Sequence, residues 1–211
     1  MAERPTVIGI SGGSGSGKSW LAQRVVEAFP DDAILVEQDW YYRDQSRLTP
    51  KAAENYNFDH PSAIEHTLLV QHLRTLDQGK EVAAPGYCYS SHRRLEAMHH
   101  LQPKPIILVE GLFALYWPEL RKCFSYKLYI KAIPEVRLER RLHRDSTERG
   151  YTENQILAGW NRYALPMHDQ FVKPTAQFAD FVWDSSEDTS FETKFLADLR
   201  GRLAKNGKNP K

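Results

Sequence analysis

The stretch Gly12-Gly13-Ser14-Gly15-Ser16-Gly17-Lys18-Ser19 fits the pattern G-x-x-x-x-G-K-[ST] and follows directly on the apolar run Val7-Ile8-Gly9-Ile10. Glycines tolerate positive φ, so consecutive N–H groups can turn inward as an anion nest where a helix begins. Such a loop must be delivered by a strand and left by a helix. Trp20 to Phe29 supplies the helix, with Leu21, Val25 and Phe29 at helical spacing. A triphosphate fits the nest, which makes Gly12, Gly13, Ser14, Gly15, Ser16, Gly17, Lys18, Ser19 and Trp20 the candidate nucleotide-binding residues. Lys18 is expected to reach the β- and γ-phosphates, and the Ser19 hydroxyl to ligate Mg²⁺.

The rest of the chain alternates strands with helices. Ala33-Ile34-Leu35-Val36 reads as a short buried strand that carries Glu37-Gln38-Asp39 to its C-terminal end, where open α/β sheets bind ligands. A polar, aromatic segment from Trp40 to His60 lacks periodicity and is expected to face substrate. Ser62 with Glu65 predicts a capping box ahead of a helix with Ile64, Leu68, Leu69, Leu73 and Leu76 inward and Gly79 as its stop. Residues 81–101 predict a β-hairpin. Pro105 to Gly111 is the clearest buried strand, apolar on both faces and closed by Glu110. Leu128-Tyr129-Ile130 and Phe181-Val182-Trp183 are further strands. Between them lie an arginine-rich helix opened by Pro134 and a helix capped by Thr152 with Gln155; Phe191, Phe195 and Leu199 mark a closing helix. The pattern predicts a three-layer α/β P-loop NTPase/kinase fold: a parallel sheet core, an inserted β-hairpin at about 81–101 and a helical lid at about 134–165.

With 211 residues a single domain is expected, over 1–204, followed by a disordered polar tail at 205–211. A net charge of +1 argues against nucleic acid or a membrane surface as partner. Cys88 and Cys123 show no metal or disulfide spacing, and no long apolar run or leader is apparent. A cytoplasmic protein is therefore expected.

Phosphoryl transfer needs a metal, positive groups around the moving phosphoryl and a carboxylate near the accepting hydroxyl. Asp39 and Glu110 both end strands expected beside the P-loop strand, so with Ser19 they form a candidate Mg²⁺ site. Arg140, Arg141, Arg144 and Arg149 fall on successive turns, and several can close over phosphates from one face. A small-molecule kinase must also keep water from the γ-phosphate, which a mobile lid accomplishes.

Six collinear stretches carry a closer resemblance: the P-loop, Gln38-Asp39-Trp40-Tyr41-Tyr42-Arg43, Asn57-Phe58-Asp59-His60-Pro61, Tyr87 to Arg94, Glu110-Gly111, and Arg140 to Asp145 with Glu148-Arg149-Gly150. From about residue 6 to 183 the chain resembles the uridine kinase (uridine-cytidine kinase) family. The resemblance implies ATP- or GTP-dependent, Mg²⁺-assisted phosphorylation of the 5′-hydroxyl of uridine or cytidine. It implies a catalytic set of Asp39, Lys18 and Arg144, with Asp39 receiving the hydroxyl proton and Arg144 and Arg149 on the phosphate donor. It further implies that Asp59 binds the ribose hydroxyls, Tyr87 and His92 read the pyrimidine edge, Tyr89 packs on the ring, Arg141 holds the nucleoside, and Tyr42 and Phe58 complete its pocket. A homo-tetramer is expected by the same analogy.

The chain departs from the family pattern in three places. Tyr151 stands where a second arginine is usual, Gly159 where a glutamine is usual, and Asp184-Ser185-Ser186 replaces Pro-Arg-Gly. The first two predict a roomier acceptor site; the third bears on donor preference. Two alternatives stay open: a kinase of the same superfamily acting on another nucleoside, a sugar phosphate or a small alcohol, and a nucleotide-binding switch. The Asn-Lys-x-Asp motif of a GTPase switch is missing from the sequence.

Overall fold

The computed structural model describes residues 4–49, 51–52, 55–188 and 190–205. Five strands pair in parallel: β1 (Thr6–Gly12), β2 (Ala33–Glu37), β5 (Ile106–Glu110), β6 (Tyr126–Lys131) and β7 (Phe181–Asp184), in the order β2-β5-β1-β6-β7. β1 occupies the middle, so the loop it delivers leaves the centre of the sheet's C-terminal edge. In register, Ile10 pairs with Glu110 and Glu110 with Glu37, which brings the ends of β2 and β5 level while β1 runs on to Gly12.

Alternation along the buried strands sorts apolar side chains into two layers, because successive residues point to opposite faces. Ile8, Ile10, Ile106 and Leu108 pack with Leu21 and Val25 of α1 (Lys18–Ala28) and with Phe195 and Leu199 of the closing helix (Phe191–Lys205). Val7, Ile107 and Val109 face the other way, against Leu69, Leu73 and Leu76 of α2 (His66–Asp77). Leu21 and Leu76 are fully buried, and truncating such a residue to alanine costs ~2–5 kcal/mol. The three-layer architecture expected from the sequence is the one observed.

α2 begins differently from the expectation. No capping box forms: Pro61–Ala63 makes a 3₁₀ turn, Ile64 enters an isolated bridge with Tyr42, and the helix starts at His66 with no side-chain cap. The groups that would have capped it are engaged elsewhere. The Ser62 amide donates to His60 Nδ1 at 3.1 Å, and the Glu65 carboxylate takes the guanidinium of Arg94.

That arginine fastens the hairpin, β3 (Val82–Cys88) and β4 (Arg93–Leu101), which forms its own two-stranded antiparallel sheet. An isolated hairpin is marginal in water, so it needs an anchor. The Arg94 guanidinium donates to the carbonyls of Tyr41 and Tyr42 at 3.0 Å each, and its amide to Asp44 Oδ2 at 3.0 Å. Trp40 stacks on His99, centroids 3.8 Å apart. The hairpin is thereby tied to the segment that follows β2.

After β5 comes the short α3 (Pro118–Arg121), and after β6 the segment expected as a lid, α4 (Pro134–Glu148) and α5 (Glu153–Gly159). The Thr152–Gln155 capping box forms as predicted. Helical structure then runs on to Phe178, past the expected lid end at 165, through π turns at Trp160–Ala164 and His168–Val172. Pro166 lies between those turns, where its missing N–H would break a regular α ladder. The closing helix, α6, reaches Lys205, the first residue of the expected tail; 206–211 lie outside the described residues. Among the described residues no helix is long and apolar enough to cross a membrane.

Candidate active site

The loop between β1 and α1 is shaped by residues that only glycine can occupy. Gly17 takes φ +98° so that α1 can start at Lys18. At Gly13 a Cβ would lie 1.8 Å from Nη1 of Arg137, so the guanidinium packs directly on the loop. The loop closes with the Ser16 amide donating to the Gly13 carbonyl at 3.1 Å. Lys18 folds back over it, Nζ donating to the same carbonyl at 3.1 Å. Burial pulls the Lys18 pKa down, while Glu110 and Asp39 push it back up.

Ser19 Oγ donates to Glu110 Oε1 at 2.8 Å, so the helix start and the end of β5 meet as expected. Burial raises the Glu110 carboxyl pKa; Lys18 counters it and Asp39 adds to it. Glu37, on the neighbouring strand, is pushed up to about 7 by burial and then by Glu110 and Asp39. Burial is the first cause for both carboxyls, and their mutual repulsion with Asp39 adds to it. Among the described residues no cluster of three His, Cys, Asp or Glu side chains is arranged to hold a metal by itself. Hard oxygen donors in this number suit Mg²⁺, which keeps most of its waters and binds through one or two carboxylates and substrate phosphates.

A cavity of about 730 Å³ opens over the loop. Asp39, Tyr42, Phe58, Asp59, Tyr87, Tyr89, His92 and Arg141, the residues expected around the acceptor, all line it, as do Ser14, Lys18, Ser19, Glu110, Arg144 and Arg149. Tyr89 Oη donates to Asp39 Oδ2 at 2.7 Å, an engagement the sequence did not suggest for this tyrosine. Phe58 and His92 stack at 4.7 Å, and burial lowers the His92 pKa. The Tyr87 hydroxyl is buried, and among the described residues it has no hydrogen-bond partner. Asp59 ion-pairs with Arg141 at 3.7 Å, its pKa raised by burial against the pull of that arginine. Tyr151 and Gly159 also line the cavity, and a Cβ on Gly159 would meet nothing within 4 Å among the described residues.

Some of the expected residues lie apart. Gly12, Gly13, Gly15, Ser16 and Gly17 shape the loop without lining the cavity, and the Trp20 indole is half exposed, 6.5 Å from the Trp183 ring. Arg140 points away too, donating to the Gly15 carbonyl at 3.3 Å and to Ser185 Oγ at 3.0 Å. Ser185 in turn donates to the Ser16 carbonyl at 2.7 Å, so the divergent segment after β7 buttresses the loop from outside.

Two residues escaped the sequence reading. Arg137, 2% exposed, lies against Gly13 with its Nε unpartnered among the described residues and the Trp160 ring 5.1 Å from its guanidinium carbon. Asp145 is as deeply buried and meets three arginines, Arg141 and Arg144 of α4 and Arg149 at its end. Arg137 shares the helix with the other arginines, and only its burial sets it apart; the Asp145 signal was an acid at i, i+4 from both Arg141 and Arg149.

A phosphate nest at the centre of a parallel sheet, facing an aromatic cavity closed by arginines, defines a P-loop phosphotransferase that acts on an alcohol. Comparison with known proteins narrows the class. The model of the Phosphoribulokinase / Uridine kinase family matches residues 7–192, and the chain belongs to that family. It is 41% identical over 181 residues to uridine kinase of Clostridium perfringens, covering 85% of this chain and 87% of that one. To uridine kinase of Geobacillus kaustophilus it is 40% identical over 183 residues, 86% and 87% of the two chains. Among solved structures, a putative fructose transport system kinase from Silicibacter sp. TM1040 superposes with TM-score 0.67 at 17% identity, covering 85% of this chain and 90% of that one. A possible uridine kinase from Bacillus stearothermophilus gives 0.61 at 16%, covering 87% and 91%. These two structures show the shared fold alone. Family membership implies a nucleotide as phosphate donor.

Proposed function

We propose that the protein transfers the γ-phosphoryl group of ATP or GTP to the 5′-hydroxyl of a pyrimidine ribonucleoside, uridine or cytidine, as a single kinase domain over 1–204. The observation that carries this reading is the position of Asp39. It lines one cavity with Lys18, Ser19 and Glu110 on the phosphate side and with Asp59, Phe58, His92 and Tyr87 on the other. The uridine kinases among its relatives support the choice of acceptor.

Tyr89 holds Oδ2 of Asp39, which leaves Oδ1 for the proton of the attacking hydroxyl. Asp59 can accept two hydrogen bonds from a vicinal diol, and Tyr87 with His92 offers the donors and acceptors of a pyrimidine edge. The Tyr87 hydroxyl, buried and unpartnered among the described residues, gains most from such a ligand. Lys18 and Arg144, the latter 3.5 Å from Ser14 Oγ, bring positive charge to the transferring phosphoryl. Ser19, Asp39 and Glu110 would hold Mg²⁺, which neutralises phosphate charge when bound. The lid and the hairpin exclude water from the line of transfer.

Gly159 and Tyr151 refine the acceptor. The open space at Gly159 favours a nucleoside bulkier than uridine, or weak affinity for uridine itself. The test is a panel of ribonucleosides, 2′-deoxynucleosides and sugars assayed with ATP and with GTP, the product identified by mass. Formation of a pyrimidine ribonucleoside 5′-monophosphate is expected, with 2′-deoxy acceptors poor because Asp59 has lost a partner. Nucleotide hydrolysis that ignores every acceptor would point to a switch instead.

A further inference from the structure

Asp145 is 2% exposed, and three guanidiniums converge on it. Arg144 Nε donates to Oδ1 at 2.8 Å, Arg141 Nε lies 3.2 Å from Oδ2 as an ion pair without hydrogen-bond geometry, and Arg149 Nη1 lies 3.4 Å from Oδ1. Each arginine has a different second partner. Arg144 faces Ser14 of the phosphate loop at 3.5 Å, and Arg141 faces Asp59 at 3.7 Å. Arg149 lies 4.0 Å over the ring of Tyr89, whose hydroxyl holds Asp39. One carboxylate thus touches groups that serve the donor, the acceptor and the base.

Helix geometry explains the convergence. Residues 141, 145 and 149 share a face at i, i+4 and i+8, and 144 adjoins it. Arginine cannot shed its charge, so without a counter-ion these three would repel one another in a partly dehydrated site. Asp39 and Asp59 line the same cavity, and an arginine that swung onto either would occupy the oxygens a nucleoside needs.

We propose that Asp145 is a positioning residue, a buried hub that apportions the three lid arginines between phosphate loop, acceptor acid and base, an inference that rests on the kinase reading above. Its backbone acts independently of the side chain, the Asp145 carbonyl accepting the Tyr151 amide at 3.1 Å and closing the helix end. Substitution of the side chain leaves that bond in place.

The test compares wild type with Asp145→Asn, Asp145→Glu, Arg144→Gln and the Asp145→Asn/Arg144→Gln pair. Turnover, acceptor KM, affinity for a non-hydrolysable ATP analogue and thermal unfolding are measured for each. Misplaced arginines lose most where charge shifts, so Asp145→Asn is expected to lower kcat by ~30-fold or more. The loop and Lys18 remain, so affinity for the analogue should stay within ~3-fold. Asp145→Glu should recover part of the loss. Because part of the Asp145 effect runs through Arg144, the pair should cost clearly less than the product of the two single losses. A fully multiplicative pair, an unchanged kcat, or kcat falling in step with affinity and melting temperature would overturn the proposal. Should Asp145→Asn not fold, Asp145→Glu takes its place in the same cycle. If wild type phosphorylates no nucleoside, the acceptor reading fails, and the same cycle read on ATP hydrolysis with water as acceptor still decides the hub.

Discussion

His168 gives the protein an acid-sensitive joint beneath the phosphate loop. The ring is half-buried in the π-turn segment, 3.3 Å from Tyr129 Oη and 3.2 Å from Asp169 Oδ1, and its Cδ2 would lie 2.9 Å from a Cβ on Gly13. Burial, reinforced by the Arg137 cation, lowers its pKa from 6.5 to about 4. The unfolded chain therefore binds this proton first as pH falls. Stability from the neutral ring is fully present above pH 6.5 and is lost as pH drops toward 4. At ~1.36 kcal/mol per pKa unit, the loss amounts to about 2 kcal/mol by pH 5. His168→Gln keeps a hydrogen-bonding partner for Tyr129 and removes the titration. Urea unfolding of both proteins at pH 7.5, 6.5, 5.5 and 5.0 measures the difference. Wild type should lose about 2 kcal/mol more than the variant across that range. Parallel pH profiles would refute the reasoning, since they would mean that His168 titrates alike in both states.

Lys18→Ala should lower turnover by at least ~100-fold, because the contact it removes strengthens as charge moves in the transition state; a folded variant retaining most activity would undo the assignment of the loop. Asp39→Asn should bind nucleotide nearly normally, by calorimetry, while losing most of kcat, and a near-normal kcat would place the base elsewhere. Tyr151→Arg with Gly159→Gln should tighten uridine binding by ~10-fold, the value of two hydrogen bonds at ~0.5–1.5 kcal/mol each; tight binding by wild type, unaltered in the double variant, would mean these positions do not touch the acceptor.

Much of the site was legible because its chemistry is local in sequence. The glycine spacing of the loop prescribes a backbone path, and the apolar run before it has to be a strand for the loop to face ligand. The strand ending in Glu110 could be read from its unbroken apolar run, and Glu110 does meet Ser19. The capping box at Ser62 and Glu65 failed for the opposite reason. Both residues satisfied a local rule, but Arg94, 29 positions from Glu65 and on the hairpin, took the carboxylate. Arg137 and Asp145 were hidden in an arginine-rich helix because periodicity cannot separate a charged residue facing water from one facing a phosphate loop.

By itself, then, the sequence determined the elements whose signals are periodic or short: the parallel strands, the phosphate loop, the hairpin and the helix capped by Thr152. Tertiary structure alone decided which charges are buried and who shares them. Arg137 beneath Gly13, the three arginines on Asp145, Tyr89 on Asp39 and Ser185 behind Ser16 all depend on segments brought together across the sheet edge. Burial and charge pairing are properties of that assembly, because desolvation acts on a group only once distant parts of the chain have displaced its water.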